Sequence, residues 1–208
     1  VIDGISNINF MNELSALYAG IQLEKPKFQY IDYVGYQLHK RELPEWKKHE
    51  QYWLTEFSGE LPILNMPVDF QRPTVQQFEG DTVNFAISKE LTAKLNQLAN
   101  ANQSTLYMVL LAAYNVVLYK YTGQRDIIVG CPIAGRPHPD LEKIMGMFVN
   151  TVALRNYPSG EKAFGLFLEE VKEKTLKAVE HQDYQFEELV EKLGIKRESS
   201  RNPLFDTM

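Results

Sequence analysis

Few side chains in this sequence could act as a nucleophile, a base or a metal ligand, and they are scattered. The four histidines stand at positions 39, 49, 138 and 181, and the single cysteine is Cys131. The spacing of the histidines matches no metal site, so none is predicted. His39 and His49 stand among lysine, arginine and glutamate residues and are expected to be solvated. The signature strings of zinc proteases, serine hydrolases and phosphate-binding loops are also missing from the sequence. The isolated residues therefore predict no particular reaction.

Cys131 lies in the apolar run Ile-Ile-Val-Gly-Cys-Pro-Ile, which is typical of a buried strand. This context favours a small buried hydrophobic side chain over a nucleophile. One cysteine cannot form an internal disulfide, which agrees with a reducing, cytoplasmic location.

A series of short motifs carries more information than any single residue. In chain order they are Asp3-Gly4, Tyr30-Ile31-Asp32-Tyr33-Val34-Gly35-Tyr36, Gly146-Met147-Phe148-Val149-Asn150-Thr151-Val152-Ala153-Leu154-Arg155, His181-Gln182-Asp183-Tyr184-Gln185-Phe186-Glu187 and Arg197-Glu198-Ser199-Ser200-Arg201-Asn202-Pro203-Leu204. They resemble, in the same order, the motifs HHxxxDG, YxDYAxW, GxFVNTxxxR, HQDxPFE and RxxSRNPLF of the condensation domains of nonribosomal peptide synthetases. Each string alone is weak, but the ordered set spans nearly the whole chain and is specific.

The sequence departs from the family pattern at several positions. The opening motif is present only as its tail, with Val1 and Ile2 as its last two variable residues. We therefore expect both histidines of that motif just upstream of Val1, no catalytic residue within the chain, and no activity from the chain alone. Tyr36 stands where the family has tryptophan, which keeps an aromatic ring, and Gln185 replaces a proline.

The resemblance implies an α/β (α+β) fold of the chloramphenicol acetyltransferase type, a sandwich in which helices pack on a mixed sheet. The family uses this fold twice, in a V-shaped pair of lobes. In the complete domain, the amine of an acceptor aminoacyl group attacks the thioester of a donor acyl or peptidyl group. The second histidine of the opening motif would take a proton from the amine or position it.

The same resemblance implies the partners. No cofactor is expected to bind directly, because both substrates are carried on the phosphopantetheine arms of upstream and downstream peptidyl carrier proteins. An adenylation domain is the expected neighbour. Holding both reactants in place would supply much of the rate.

Other members of the superfamily remain as alternatives. Epimerization domains usually differ from the string Phe148-Val149-Asn150-Thr151, and heterocyclization domains replace the opening motif with a paired-aspartate version. Asp3-Gly4 fits condensation better. A noncatalytic module that only docks carrier proteins is a further alternative, which the presence or absence of the upstream histidine pair would decide.

Most motif residues are expected to support structure. Asp3 would hold its loop through a charge-assisted hydrogen bond to an arginine, and Gly4 would permit a backbone turn. His181 would cap a helix, whose dipole favours a cation at that end. The other residues expected to act structurally are Tyr30, Asp32, Tyr33, Arg155, Gln182, Asp183, Arg201 and Asn202.

Gly146, Phe148 and Asn150 are predicted to line the substrate tunnel. They belong to a predicted strand at residues 147–156 that carries apolar residues on both faces, as expected for a strand covered on both sides. Asn150 interrupts the apolar run, and two interpretations stay open for it: a hydrogen-bonded core amide or a channel-lining residue. Arg155 should reach solvent or a carboxylate.

The elements that must position these residues follow from hydrophobic spacing. Helices are predicted at residues 6–19, 44–57, 88–98, 104–121, 164–181 and 186–193. Ser6 and Ser88 are the expected N-caps of the first and third helices, Pro44 opens the second, and Gly123 ends the fourth. The helix at 164–181 is expected to bury Phe164, Phe167, Leu168, Val171 and Val179. Strands are predicted at residues 81–87, 126–133 and 147–156, and residues 24–44 are read as a connector. A polar loop at 135–147 matches the place where the family runs a segment across the floor between lobes.

The predicted domain organisation is the end of an N-terminal lobe at residues 1–57, a connector at 58–80 and a C-terminal lobe at 81–208. The connector is rich in glycine and proline, which mark extended linkers. The net charge is −5 and no lysine- or arginine-rich block occurs, so nucleic acid is not predicted as a partner. The longest apolar stretch, 106–118, is too short to cross a bilayer, so no membrane partner is predicted.

Overall fold

The computed structural model describes residues 1–77, 79–196 and 198–208. Its helices are α1 (Gly4–Tyr18), α2 (Tyr30–Arg41), α3 (Pro44–Glu56), α4 (Lys89–Ala101), α5 (Leu106–Thr122), α6 (Phe164–Glu180) and α7 (Phe186–Lys192). Its strands are β1 (Ile127–Ile133) and β2 (Asn150–Asn156), and a short 3-10 turn covers Pro139–Leu141.

The two strands form an antiparallel ladder on which helices pack. The register pairs Ile127 with Asn156 at one end and Ile133 with Asn150 at the other. Helix α6 packs against β2, and helix α5 contacts both α6 and β1. Helices on one sheet are the layer arrangement that the sequence predicts, although the ladder among the described residues is antiparallel rather than mixed.

A single apolar cluster joins the early and late parts of the chain. Trp53 and Phe57 of the α3 region are fully buried, and they share the cluster with Val109 of α5 and Leu168 of α6. Packing is therefore continuous across residues 58–80, where the sequence places a connector. The division into 1–57, 58–80 and 81–208 stays a prediction.

Within its described part, the connector has no regular helix or strand, as expected, but its course is fixed by hydrogen bonds. Gln124 accepts from the backbone N–H of Asn65 at 2.7 Å and donates to the carbonyl of Ile63 at 2.8 Å. Farther along, the Ser199 hydroxyl donates to the Thr74 carbonyl at 2.8 Å. The connector thus lies along the 198–206 region.

Several predicted elements are wrong in detail. Helix α1 begins at Gly4 with Asp3 as its N-cap, because the Asp3 carboxylate, not the Ser6 hydroxyl, accepts the first free backbone N–H. Residues 30–41 form a helix where a connector was predicted. The predicted strand at 81–87 does not form, because these residues are exposed and no described residue pairs with them.

Strand β2 and helix α6 also differ from prediction, the first in where it begins and the second in which residues it buries. Strand β2 begins at Asn150, three residues later than predicted, since residues 147–149 lie outside the ladder. On α6 the buried stripe contains Phe167, Leu168 and Val171 as predicted, but Phe164 and Val179 are exposed.

Other boundaries agree closely with the sequence. Helix α3 starts at Pro44, and α4 is capped by the Ser88 hydroxyl as predicted. Gly123 ends α5 with φ of 71°, a left-handed conformation that glycine adopts at little cost. No helix in the described part of the chain has the length and apolarity needed to cross a membrane.

Candidate functional site

The centre of the motif cluster is the buried carboxylate of Asp3. It caps α1 by accepting from the Ser6 N–H at 2.7 Å, and it accepts from the Phe148 N–H at 3.2 Å. Arg136 donates through Nη2 to both carboxylate oxygens at 3.1 Å. Burial alone raises the pKa of Asp3, but these hydrogen bonds outweigh it and lower the pKa below its ordinary value.

This geometry confirms the charge-assisted bond that the sequence predicts between Asp3 and an arginine. It also leaves the Asp3 carboxylate committed to holding structure, since it is ionised and already accepts several hydrogen bonds. Gly4 departs from expectation. Its φ is not positive, and a Cβ at this position would meet nothing within 4 Å, so no unusual turn requires glycine there.

Arg136 was not among the predicted site residues. It comes from the 134–149 loop, and its side chain is only 2% exposed. Its Nη1 donates to the carbonyls of Leu141 and Ile144, and its guanidinium lies 3.9 Å from the centre of the Phe148 ring. Arg136 therefore ties the loop, α1 and the Phe148 segment together, using the fixed donor fork of the guanidinium.

Ser6 and Gly146 complete this junction. The Ser6 hydroxyl donates to the Gly146 carbonyl and accepts from the Gly146 N–H, both at 2.9 Å, and it also accepts from Arg136 at 2.9 Å. These contacts use the one donor and two acceptor sites of a hydroxyl. A Cβ on Gly146 would overlap the ring of Tyr30, so the close approach requires glycine.

Helix α2 supplies the aromatic side of the cluster. Tyr30 packs edge-on against Phe148 with ring centres 5.2 Å apart and donates its hydroxyl to the Met147 carbonyl at 2.7 Å. The Tyr33 ring lies 4.6 Å from that of Phe148, and burial raises the pKa of Tyr33. Asp32 accepts from the Gln29 N–H at 2.8 Å and so stabilises the start of α2.

The turn from His181 to Gln185 holds Asn150. The Asn150 amide donates to the carbonyls of Gln182 and Tyr184 at 2.9 and 3.0 Å, and its oxygen accepts from the Phe186 N–H at 3.3 Å. Lys40 of α2 forms an ion pair with Asp183. Burial by itself lowers the pKa of Lys40, but Asp183 outweighs it and raises the pKa.

His181 is the C-cap residue of α6, as predicted, but burial lowers its pKa, which disfavours the cation that the helix dipole was expected to stabilise there. Its carbonyl accepts from Trp53 Nε1 at 2.9 Å, its ring stacks on Tyr52 at 4.1 Å, and its Nδ1 lies 2.9 Å from Nδ1 of His49. His49 was expected to be solvated and is instead part of this contact. His39 is exposed, as expected.

The side chains of Arg155 and Arg201 differ in how closely they contact a carboxylate. Arg155 donates to both oxygens of Asp126 at 2.9 and 2.7 Å, so it meets the expected carboxylate, and this bond raises its pKa. Asn202 accepts from the backbone N–H groups of Leu204 and Phe205, which fixes a turn at this motif. Nη1 of Arg201 lies 3.8 Å from Oδ2 of Asp206. Arg197 lies outside the described residues.

The structure thus brings together Asp3, Gly146, Phe148, Tyr30 and Tyr33 around Arg136, and it places Asn150 with the His181 turn. Gly146, Phe148 and Asn150 are all buried, and their role as tunnel-lining residues stays a prediction. Among the described residues, no group of three or more histidine, cysteine, aspartate or glutamate side chains is placed to hold a metal ion.

Comparison with known sequences identifies the family. A family model described as "Condensation domain" matches residues 1–208. Tyrocidine synthase 3 of Brevibacillus parabrevis is 54% identical over 208 residues, which are 100% of this chain and 3% of that protein. Bacitracin synthase 1 of Bacillus licheniformis is 51% identical over 208 residues, 100% of this chain and 4% of that protein. The chain therefore spans a small fraction of these relatives.

Solved structures confirm the predicted fold. A four-domain nonribosomal peptide synthetase bound to AMP and glycine is similar with a TM-score of 0.86 and 25% identity, over 98% of this chain and 16% of that one. The first condensation domain of the calcium-dependent antibiotic synthetase, in complex with a substrate analogue, is similar with a TM-score of 0.74 and 25% identity. This match covers 95% of this chain and 44% of that one. The chain belongs to the condensation-domain family of nonribosomal peptide synthetases.

Proposed function

We propose that this chain forms part of a condensation domain that makes an amide bond between two thioester-bound substrates. The acceptor amine attacks the carbonyl carbon of the donor thioester. The new C–N bond forms as the C–S bond breaks, the donor phosphopantetheine leaves as a thiol, and the proton lost by the amine balances the thiolate. Carrier proteins would deliver both substrates, and an adenylation domain would be the neighbour in the same synthetase.

The observation that best supports this proposal is the Asp3–Arg136–Phe148 junction. It joins the tail of the opening histidine motif to the GxFVNTxxxR motif through buried, charge-assisted hydrogen bonds. In this proposal the junction fixes the backbone next to Asp3, so that a histidine pair preceding Val1 would be held beside the Phe148 segment. Rigid support of this kind is what positional catalysis requires.

The residues of the cluster would then act by positioning and not by proton transfer. Asp3 is ionised and fully engaged, the Asn150 amide is satisfied by backbone partners, and Arg155 is paired with Asp126. We propose that the chain alone gives no turnover, and that the histidine pair would supply the proton acceptor or orient the amine.

The test uses a complete condensation domain that contains these 208 residues. Donor and acceptor carrier proteins are loaded with a panel of aminoacyl groups, and the product on the acceptor phosphopantetheine is measured by mass spectrometry. We expect a dipeptidyl thioester that is heavier than the acceptor aminoacyl thioester by one donor residue, without the further loss of water that ring closure would cause. Binding of the carrier proteins without any product would instead support a noncatalytic module that only docks carrier proteins. Inversion of the Cα configuration of the donor aminoacyl group, in the absence of an acceptor, would support an epimerization domain.

A further inference from the structure

The segment from Met147 to Asn150 sends alternate side chains in opposite directions. Met147 and Val149 are 40% and 45% exposed, whereas Phe148 and Asn150 are 4% and 7% exposed. This is the period of an extended chain, in which successive side chains point to opposite sides. The motif positions that the sequence singled out therefore point inward, and their neighbours point outward.

The inward direction of Phe148 and Asn150 is fixed by specific contacts. The Phe148 ring is enclosed by Tyr30, Tyr33 and the Arg136 guanidinium. The Asn150 amide is bound to Gln182 and its neighbours, and leaving it unsatisfied would cost free energy. Because neither side chain can turn outward without losing these partners, the outward direction of Met147 and Val149 is fixed as well.

The outward face continues across the ladder onto β1. Pro132 is the register partner of Thr151, so their side chains lie on the same side. Continuing that register beyond the strand places Ala134 beside Val149. Gly135 supports this, since its backbone packs directly against the Phe148 carbonyl. Pro132 and Ala134 are both exposed.

These residues form one uncharged strip, which we call the outer strip. It consists of Pro132, Ala134, Met147, Val149 and Thr151. The outer strip adjoins the Asp3 junction, because the Asp3 N–H donates to the Gly146 carbonyl at 3.1 Å and the Phe148 N–H donates to Asp3. Met147 thus lies between the two backbone groups that hold Asp3.

We propose that Met147 and Val149, with Pro132 and Ala134 beside them, form an apolar wall that contacts the side chain of a thioester-bound substrate. The inference rests on the proposed function, because it takes the region beside Asp3 as the place where the substrates meet. An uncharged wall selects apolar or small aminoacyl groups and discriminates among them by size. Charged aminoacyl groups lose solvation there without gaining a partner.

The experiment measures kcat/KM for a panel of alanyl, leucyl, phenylalanyl and aspartyl groups, each placed first on the donor carrier and then on the acceptor carrier. The variant Val149→Phe, in the complete domain, narrows the space above the strip. We expect the phenylalanyl-to-alanyl ratio of kcat/KM to fall by about tenfold, on the carrier whose substrate meets the wall, since one or two buried carbons change selectivity on that scale. The complementary variant Met147→Ala should raise the same ratio.

Leu166→Phe is the matched control, because Leu166 is an exposed apolar residue of α6 that is not part of the outer strip. Equal phenylalanyl-to-alanyl ratios of kcat/KM in Val149→Phe, Met147→Ala and Leu166→Phe would contradict the proposal that the outer strip contacts the substrate. If Val149→Phe fails to fold by circular dichroism, Val149→Leu makes the same test with a smaller change. A parent domain that forms no amide with any pair defeats the proposed function itself, and the wall with it. If the parent domain is active but the variants leave the kcat/KM ratios unchanged, only the proposed contact between the outer strip and the substrate is contradicted.

Discussion

The Nδ1 atoms of His49 and His181 lie 2.9 Å apart and join α3 to the end of α6. At this distance one ring must donate its proton and the other must offer its lone pair, so both rings cannot carry an Nδ1 proton and keep the contact. Burial lowers the pKa of both histidines, and the charge of His49 further lowers the pKa of His181. The charged groups that influence the pair are Lys40, Glu180 and Asp183.

Acid should therefore weaken the fold at this contact. The pKa of each histidine lies below its ordinary value of 6.5 in the folded protein, so the unfolded chain binds more protons as the pH falls below 6.5. The free energy of unfolding contributed by the pair is complete above that pH and is lost as the pH falls through the lowered pKa values. Thermal unfolding at pH 7.5, 6.5 and 5.5 should show a falling melting temperature.

His49→Phe should reduce this pH dependence, since it removes one of the two titrating rings. His39→Phe is the control, because His39 is an exposed residue on α2 and does not take part in the contact. The same slope of melting temperature against pH in the parent and in His49→Phe would show that the pair does not govern acid stability.

The Asp3–Arg136 ion pair should be costly to break from one side. Both side chains are almost fully buried, at 1% and 2% exposure. Asp3→Asn leaves the Arg136 charge without its counterion, and we expect a loss of about 3–5 kcal/mol in the free energy of unfolding. Urea unfolding measures it. Lys27→Ala, which breaks the exposed ion pair between Lys27 and Asp140 of the Arg136 loop, should cost less than about 1 kcal/mol.

The double variant Asp3→Asn, Arg136→Met distinguishes the unpaired charge from lost packing. Removing both charges should recover a large part of the stability that Asp3→Asn loses, because no buried charge then lacks a partner. A double variant as unstable as the sum of the two single variants would contradict this account.

Asn150→Ala should affect stability more than catalysis. The substitution leaves the carbonyls of Gln182 and Tyr184 without their donor, and we expect a cost of about 1–3 kcal/mol. In the complete domain, the rate per folded molecule should stay near that of the parent. A fall in rate well beyond the unfolded fraction would mean that Asn150 lines the tunnel, as the sequence suggested, and that the core-amide interpretation is wrong.

Val149 and Val152 provide a matched pair on one segment. The sequence predicts that both are covered, so that Val149→Ala would open a cavity, but Val149 is 45% exposed and Val152 is 3% exposed. We now expect Val152→Ala to cost about 2 kcal/mol and Val149→Ala less than about 1 kcal/mol, because only the first removes fully buried methyl groups. Urea unfolding of both variants measures the difference, and equal losses would contradict the alternation.

Local signals in the sequence predicted most helices and both strands of the ladder. Pro44, Ser88 and Gly123 mark helix ends through their own backbone chemistry, and these predictions needed no distant partner. Helix α2 escaped prediction because it has no buried residue of its own. Its aromatic contacts are to Phe148, more than a hundred residues away.

The missed parts of the site share that dependence on distant partners. Arg136 is separated from Asp3 by 133 residues, so no spacing rule connects them, although an arginine partner for Asp3 was expected on chemical grounds. The side chains of Met147 and Val149 point outward because Phe148 contacts α2 and Asn150 contacts the His181 turn. The segment at 81–87 has the alternation of a strand, but a strand also needs a hydrogen-bonding neighbour, which sequence alternation cannot supply.

Helix α1 should make the isolated chain associate in solution. Its exposed apolar side chains include Ile5, Ile8, Phe10, Met11, Leu14 and Leu17, and contiguous patches of this kind drive association. We expect light scattering to show a mean mass that rises with concentration above the 24.0 kDa of one chain. Replacing Ile8 and Met11 together by lysine should shift the distribution toward the monomer, since each charge makes burial of this face costly. The control replaces Leu166 and Leu176 of α6 by lysine and should leave association unchanged. A monomer at all concentrations in the parent chain, or equal effects of the two double variants, would count against a role of α1 in association.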